Sequence, residues 1–324
     1  MAYLHHLKWI PVLTAVLFCC GCTGSFTAEK NLTGSGFLFD THCTWQIYGN
    51  NSSDTLREIT DSMEGMNASF DLCYDLPPEE LPDEECYEQC VDLTVQLTER
   101  YGRGVSMTAG TLTGLWGISQ GAVRIPGEDE IASALGTVTH DGTIADGTRY
   151  DFGAAAKGYA CDEAYRILSG SDTGYAVISL SSSTLLYGRK PDGALFRAGI
   201  THPEGEGYLG IIETEAAFVS TSGGYERYFE ADGRRYCHIL DLSTGYPAET
   251  DLASVTVIVP AETENGGILS DFLSTLICLR GADEIETWLA YDEFFVVAAD
   301  SQGRIYTDFD GFIPDPESGW KMNP

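Results

Sequence analysis

The stretch Tyr225-Glu-Arg-Tyr-Phe-Glu-Ala-Asp232-Gly233-Arg-Arg-Tyr-Cys-His238-Ile-Leu240 decides the fold class. Two aromatic-rich runs with strand character, Tyr225–Glu230 and Arg235–Leu240, flank an Asp-Gly pair, and Asp-Gly suits a tight turn whose backbone takes positive φ. A β-hairpin is predicted here. Outward from it, alternating or continuous apolar strand patterns recur at Tyr175–Tyr187, Leu195–Ile200, Tyr208–Glu213, Ser254–Val259 and Phe294–Ala299. Two helices interrupt them, over about Ala155–Leu168 and Leu269–Leu279. Upstream, Phe37–Tyr48 reads as a strand closed by Gly49-Asn50, and Asp54–Met66 as a helix with Asp54 as N-cap. Pro82 with Asp83, Glu84 and Glu85 suits the first turn of a further helix, which reaches about Tyr101 and turns Tyr87, Cys90, Val91, Thr94, Val95 and Leu97 to one face. Strands and helices mix without regular alternation, which predicts an α+β (mixed α/β) architecture rather than a doubly wound sheet.

At 324 residues and 43% hydrophobic, the chain can bury a sizeable core. Eighteen Lys and Arg against 49 Asp and Glu give a formal charge of -31, with no basic run. Such a surface repels polyphosphate backbones and anionic lipid, so no nucleic-acid partner is expected, and an anionic ligand would need its own divalent cation. The N-terminus reads as an address. Lys8 precedes the apolar run Trp9–Phe18, the length of a signal h-region and too short to span a bilayer. Gly21-Cys22 fits a bacterial lipobox, with a lipid on Cys22 as membrane anchor; an ordinary secretory signal or a metal-binding Cys cluster are the competing readings of Cys19-Cys20-Gly21-Cys22. Residues 1–22 are thus assigned to a signal peptide with lipobox, 23–35 to a Thr/Gly/Ser-rich tether and 36–324 to the folded domain. The expected location is the extracytoplasmic face of a bacterial cell membrane. The other seven cysteines show no metal-site spacing and an odd count, so no complete disulfide framework follows. Cys86 and Cys90, four apart on the predicted helix, suit a buried stripe.

Three segments carry candidate chemistry. In Arg149-Tyr-Asp151-Phe-Gly-Ala154-Ala-Ala-Lys157-Gly-Tyr-Ala-Cys-Asp162, a strand passes through small residues into a helix, so backbone can approach a ligand and helix N–H groups can face an anion, with Lys157 adding charge; close packing alone would also explain the small residues. In Ser270-Asp271-Phe-Leu-Ser-Thr275, Asp271 and Thr275 lie four apart on one helical face, where a carboxylate and a hydroxyl can offer oxygens to one hard cation; the plainer reading is an N-cap Asp and a back-bonding Thr. His238 and Asp241 end a strand beside a turn, where a polar pair can face a cleft, orient a phosphate or accept a proton, or simply be a satisfied polar pair.

Taken in order, Asp-Phe-Gly-Ala-Ala-Ala-Lys-Gly-Tyr-Ala-x-Asp, then Lys190-Pro-Asp-Gly193 with Arg197-Ala-Gly-Ile200 and Pro203, then Thr221-Ser-Gly with Tyr225-Glu-Arg-Tyr-Phe, then His238-Ile-Leu-Asp241 with Thr244-Gly-Tyr-Pro247, then Asp271-x-x-Ser-Thr275, resemble the ApbE family of FAD:protein FMN transferases. The resemblance spans about Arg149–Arg280; upstream, Phe39-Asp-Thr41 and Leu115-Trp-Gly117 are weaker echoes. It implies an ApbE-like fold with mixed and antiparallel sheets flanked by helices. It also implies an enzyme that binds FAD with Mg²⁺ and transfers FMN to a Thr hydroxyl of an acceptor flavoprotein, releasing AMP. Carried over by position, Asp271, Thr275 and the Ala154 carbonyl would hold the metal, Asp151, Lys157 and His238 would contact FAD, and His238 with Asp241 would serve catalysis. The chain departs from the family pattern at Ser181-Ser182-Ser183 in place of Gly-Gly-Asn, at Ser106 and Gly224 in place of Asp, and at Leu242 in place of Pro. The stretch that supplies residues around the flavin ring also looks shortened between Asn67 and Pro82. FAD hydrolysis to FMN and AMP, and flavin binding without catalysis, are the alternative activities.

Overall fold

In the computed structural model, residues 31–50, 52–82 and 85–323 are described. The signal segment, Cys22, residues 23–30 of the expected tether and Asp83-Glu84 lie outside them.

Antiparallel pairing begins with β1 (Asn31–Leu38) and β2 (Thr41–Gly49), joined through Phe39 and Asp40 at φ 52° and 54°. The single strand expected over Phe37–Tyr48 is therefore parts of two. Its turn uses non-glycine residues at positive φ, which the sequence does not advertise. The tether expected over 23–35 is already strand from Asn31, because the Trp45 ring covers Gly34 and Gly36: a Cβ on Gly34 would come within 2.6 Å of indole Cδ1. Glycines here make room for a buried aromatic rather than for flexibility.

Helix α1 (Ser52–Asp75) outruns its predicted end, and Asp54 sits in its first turn paired with Arg57 instead of capping it. Helix α2 (Glu85–Tyr101) buries Tyr87, Cys90, Thr94, Thr98 and Tyr101, a stripe at helical spacing. The short α3 (Gly110–Trp116) and α4 (Glu128–Leu135) precede α5 (Ala156–Ser169). The predicted run Tyr175–Tyr187 is a hairpin of β3 (Thr173–Leu180) and β4 (Ser183–Gly188), turning at Ser181, φ 61°. There follow β5 (Phe196–Thr201), β6 (Tyr208–Thr214), β7 (Ala217–Ser222), β8 (Tyr228–Ala231), β9 (Arg234–Cys237), β10 (Leu240–Asp241), β11 (Tyr246–Pro247) and β12 (Leu252–Pro260). Helices α6 (Gly266–Arg280) and α7 (Ile285–Trp288) lead to β13 (Phe295–Asp300), β14 (Arg304–Thr307), β15 (Phe312–Pro314) and β16 (Lys321–Met322).

A nine-stranded sheet in the order β1-β2-β3-β4-β7-β12-β13-β14-β16 dominates, antiparallel except at β14–β16. Helices α1, α5 and α6 cover one face, and the three-stranded sheet β15-β6-β5 covers the other. Strand β12 is buried on both sides: Val257 and Val259 pack towards the helices and Ile258 towards the small sheet, each at most 1% exposed. Burying each such side chain contributes about 1.5–3 kcal/mol before entropy is counted. The β8–β9 hairpin turns at Asp232-Gly233 as the sequence indicates and packs on α3 and α4, where Trp116 Nε1 donates to the Gly245 carbonyl at 2.8 Å. The architecture is α+β, as expected.

One crossing positions the site. Helices α5 and α6 meet at Gly158 and Gly267, where a Cβ on Gly158 would stand 2.7 Å from the Gly267 carbonyl carbon and 2.8 Å from Asp271 Cβ. Only backbone fits there. Asp162, one turn further along α5, accepts from the Gly267 and Ile268 N–H groups at 2.8 Å each and so caps α6 from a neighbouring helix.

Candidate active site

The glycine crossing brings the start of α5 against the second turn of α6. Gly158 N–H donates to Asp271 Oδ2 at 3.0 Å, Ser183 Oγ donates to Oδ1 at 3.2 Å, and Lys157 Nζ lies 3.6 Å from Oδ2. Asp271 is 2% exposed, so its charge needs these partners. Lys157 Nζ also donates to the Gly153 carbonyl at 3.1 Å, which keeps the ammonium at the helix entrance. Asp271 does not cap α6, whose N-cap is Asn265. Thr275 does back-bond, donating to the Asp271 carbonyl at 3.3 Å, and its hydroxyl lies 3.1 Å from Ser222 Oγ.

The Asp-Phe-Gly turn feeds this arrangement. Asp151 Oδ1 accepts the Gly153 N–H at 2.7 Å, bending the chain into α5, and Asp151 makes no direct contact with Asp271 or Lys157 among the hydrogen bonds and ion pairs of the described residues. In a regular helix the Gly158 N–H would close onto the Ala154 carbonyl four residues back; here it goes to Asp271 instead. That leaves the Ala154 carbonyl without the Gly158 N–H as its helical partner. Among the described residues no three His, Cys, Asp or Glu cluster to hold a metal. A cation here would therefore meet one carboxylate and neutral oxygens, the donor set of a hard cation that keeps several waters. The residues present fit Mg²⁺.

His238 is half-buried, with Nδ1 3.2 Å from the Arg227 carbonyl. A carbonyl can only accept, so Nδ1 carries the proton and Nε2 presents the lone pair. Burial, with the charges of Arg227 and Lys157, pushes its pKa down to about 4, leaving the ring neutral at pH 7. The structure does not join His238 to Asp241. Asp241 Oδ1 accepts Ser243 N–H and Oγ–H at 2.8 and 2.7 Å, and Oδ2 accepts the Thr244 hydroxyl at 3.2 Å, so this carboxylate is occupied in shaping the turn to Gly245. That turn chemistry outweighs the pairing expected from the two residues' nearness in sequence.

Glu226 does not stand out in the sequence, although it sits within Tyr-Glu-Arg-Tyr. Burial, helped by the charge of Asp271, raises its pKa to about 7 against the opposing pull of Lys157 and Arg227. It lines a small cleft with Ser181, Ser182, Arg197, Thr201 and Thr221. Its place in the Tyr225-Glu-Arg-Tyr-Phe motif is the signal that could have found it.

The sequence profile of the ApbE family matches residues 39–297. The chain belongs to the ApbE family. It is 30% identical over 212 residues to the FAD:protein FMN transferase of Treponema pallidum (strain Nichols), covering 57% of either chain. Its fold is similar to the crystal structure of the ApbE protein of Thermotoga maritima MSB8, with TM-score 0.74 and 25% identity over 85% of this chain and 96% of that one. The apo flavinyl transferase ApbE of Pseudomonas stutzeri is similar with TM-score 0.70 and 25% identity, over 90% and 96%. The chain matches between one half and two thirds of the length of the curated relatives most similar in sequence, at 57% and 62%.

Departures from the ApbE pattern have local explanations. Ser181 and Ser182 make the β3–β4 turn, and Ser183 reaches the Asp271 carboxylate. Ser106 joins a buried hydroxyl group with Thr108 at 3.0 Å and the Thr139 carbonyl. Where the ApbE segment looks shortened, α1 continues to Asp75, and Phe70, Tyr87, Tyr150 and Phe152 cluster beside Asp151, with Phe70 and Phe152 centroids 4.7 Å apart.

Proposed function

We propose that this chain is a Mg²⁺-dependent FAD:protein FMN transferase, moving FMN from FAD to a Thr hydroxyl of an acceptor flavoprotein and releasing AMP. The observation that carries the reading is the buried Asp271 carboxylate held against the Gly158 N–H and Lys157 at the α5–α6 crossing, with Thr275 one turn along α6. Asp271, Thr275 and the Ala154 carbonyl would hold the Mg²⁺. When bound, the cation neutralises pyrophosphate charge and stabilises charge developing on the phosphoryl oxygens. Lys157 supplies a fixed positive charge beside the same position, and Asp151 sets the turn that brings it there. His238 keeps its Nδ1–H on the Arg227 carbonyl and offers Nε2 to the hydroxyl proton. The acceptor oxygen bonds to the FMN phosphorus, the bond from that phosphorus to the bridging oxygen breaks, AMP leaves with the electron pair, and the hydroxyl proton passes to His238. The apolar run before Gly21-Cys22 supports a lipid on Cys22 and an extracytoplasmic membrane location, which mass spectrometry of the native protein tests.

The deciding assay is AMP release from FAD with Mg²⁺ or EDTA, with and without an acceptor domain, for the parent and Asp271→Ala. Release that needs Mg²⁺, Asp271 and acceptor is expected. Acceptor-independent release would make the protein a FAD pyrophosphatase, and flavin binding without any release would make it a non-catalytic flavin protein.

A further inference from the structure

Three strand serines reach across to α6 in a seam that is otherwise apolar. From β4, Ser183 donates to Asp271 Oδ1 at 3.2 Å; from β7, Ser220 lies 2.8 Å from Ser270 Oγ, and Ser222 lies 2.8 Å from Ser274 Oγ and 3.1 Å from Thr275 Oγ1. Ser183 and Ser220 are register partners on adjacent strands, and Ser220 and Ser222, two apart, point to the same face. Ser183, Ser220, Ser270 and Ser274 are each at most 1% exposed. Apolar packing alone would be served by alanine, because a buried hydroxyl costs free energy unless it is bonded. The bonds are not equivalent. Ser220 ends only on another structural serine, whereas Ser183 reaches Asp271 and Ser222, besides Ser274, reaches Thr275, the two side chains proposed to hold the cation.

We infer that Ser183 and Ser222 are positioning residues for the cation site, Ser183 fixing the Asp271 carboxylate and Ser222 fixing the Thr275 hydroxyl. The inference rests on the Mg²⁺ reading above. Asp271 is gripped on both oxygens, Oδ2 by Gly158 N–H and Oδ1 by Ser183, so its carboxylate plane cannot rotate and its remaining lone pairs keep one direction. Thr275 can offer a lone pair to a cation only while its own proton points elsewhere. The Asp271 carbonyl accepts that proton at 3.3 Å, and Ser222 Oγ, 3.1 Å away, fixes the hydroxyl from the strand side. Ser183 stands where the family pattern has Asn, so this chain's Ser-Ser-Ser departure is not an idle loss: its third member supports the metal carboxylate. Partners of this outer kind orient ligands and are worth roughly 10- to 100-fold in metal affinity.

The test is Mn²⁺ binding by the full chain without flavin, followed by the loss of the free-ion electron paramagnetic resonance signal. Parent, Ser183→Ala, Ser222→Ala, Ser220→Ala and Asp271→Ala are compared, and melting temperatures in EDTA report whether each variant is folded. Ser183→Ala and Ser222→Ala should each bind about 10-fold more weakly or worse, while Ser220→Ala keeps the parent's affinity although it loses a bond in the same seam. Asp271-dependent binding that survives both serine substitutions overturns the inference alone. So does equal weakening by Ser220→Ala, which would mean that the seam merely loosens. A parent whose binding does not depend on Asp271 overturns the cation reading and this inference with it.

Discussion

Gly158→Ala probes the contact on which the site depends. The new Cβ would lie 2.7 Å from the Gly267 carbonyl carbon and 2.8 Å from Asp271 Cβ, against an ordinary carbon contact of about 3.5–4.0 Å. No rotamer relieves a clash with backbone, so α5 and α6 must part by roughly 1 Å. Overpacking of this kind costs about 1–3 kcal/mol. Parting the helices also stretches the 3.0 Å bond from Gly158 N–H to a buried carboxylate, a charge-assisted bond worth about 1.5–3 kcal/mol. Alanine's better helix propensity returns about 1 kcal/mol at most. The net loss is about 1.5–5 kcal/mol, and at roughly 2–4 °C per kcal/mol for a large domain the melting temperature should fall by about 3 °C or more. Calorimetry in EDTA reads the stability, and Mn²⁺ titration reads the displaced carboxylate. A variant that melts with the parent and binds Mn²⁺ equally would show that the helices separate freely, and close backbone approach would then not be what requires glycine at both positions.

Gly65→Ala should have the opposite sign: nothing lies within 4 Å of its Cβ position in α1, so thermal melts should show a gain of up to about 1 kcal/mol. His238 and Glu226 predict opposite pH effects on stability. His238 has a folded pKa near 4, below its ordinary 6.5, so it contributes stability above pH 6.5 that is lost as pH falls towards 4. Glu226 has a folded pKa near 7, above its ordinary 4.5, so its contribution is complete below pH 4.5 and lost as pH rises through 7. Urea denaturation across pH 4–8 should be flatter for His238→Gln on the acid side and for Glu226→Gln between pH 4.5 and 7; unchanged curves would refute these pKa assignments. With a formal charge of -31, FAD association should speed up with added inert salt as repulsion is screened, and stopped-flow mixing would contradict this by showing a slower rate.

What could be read in the sequence was local. The Asp232-Gly233 turn announces its positive φ in its residue types, and the β8–β9 hairpin follows. The turns at Phe39-Asp40 and Ser181 reach the same conformation without glycine, held by the tertiary structure, and the two hairpins they form each read as one strand. The Asp271–Thr275 spacing fixes a shared helical face whatever surrounds it. The approach of Lys157 to Asp271 was not legible, because it depends on two glycines from separate helices meeting at their backbones. Asp241 misleads for a related reason: adjacency to His238 suggests a pair, but a carboxylate two and three residues before Ser243 and Thr244 finds turn donors first.

The acidity of the chain and the chemistry proposed for it meet at the candidate site, where local charge differs from global charge. Asp271 faces Lys157, and Glu226, buried beside Lys157 and Arg227, holds its proton up to about pH 7. His238 stays neutral, so it does not add a cation that would compete with Mg²⁺ for Asp271. The site therefore has one carboxylate, one ammonium, one guanidinium and a half-protonated acid, close to neutral before any ligand arrives. A divalent cation brought into such a site is left with uncompensated positive charge, and a pyrophosphate is the natural group to compensate it. Binding of cation and dinucleotide should accordingly be coupled through Asp271, each strengthening the other by the same factor, whereas the acidic exterior acts only on the rate of approach.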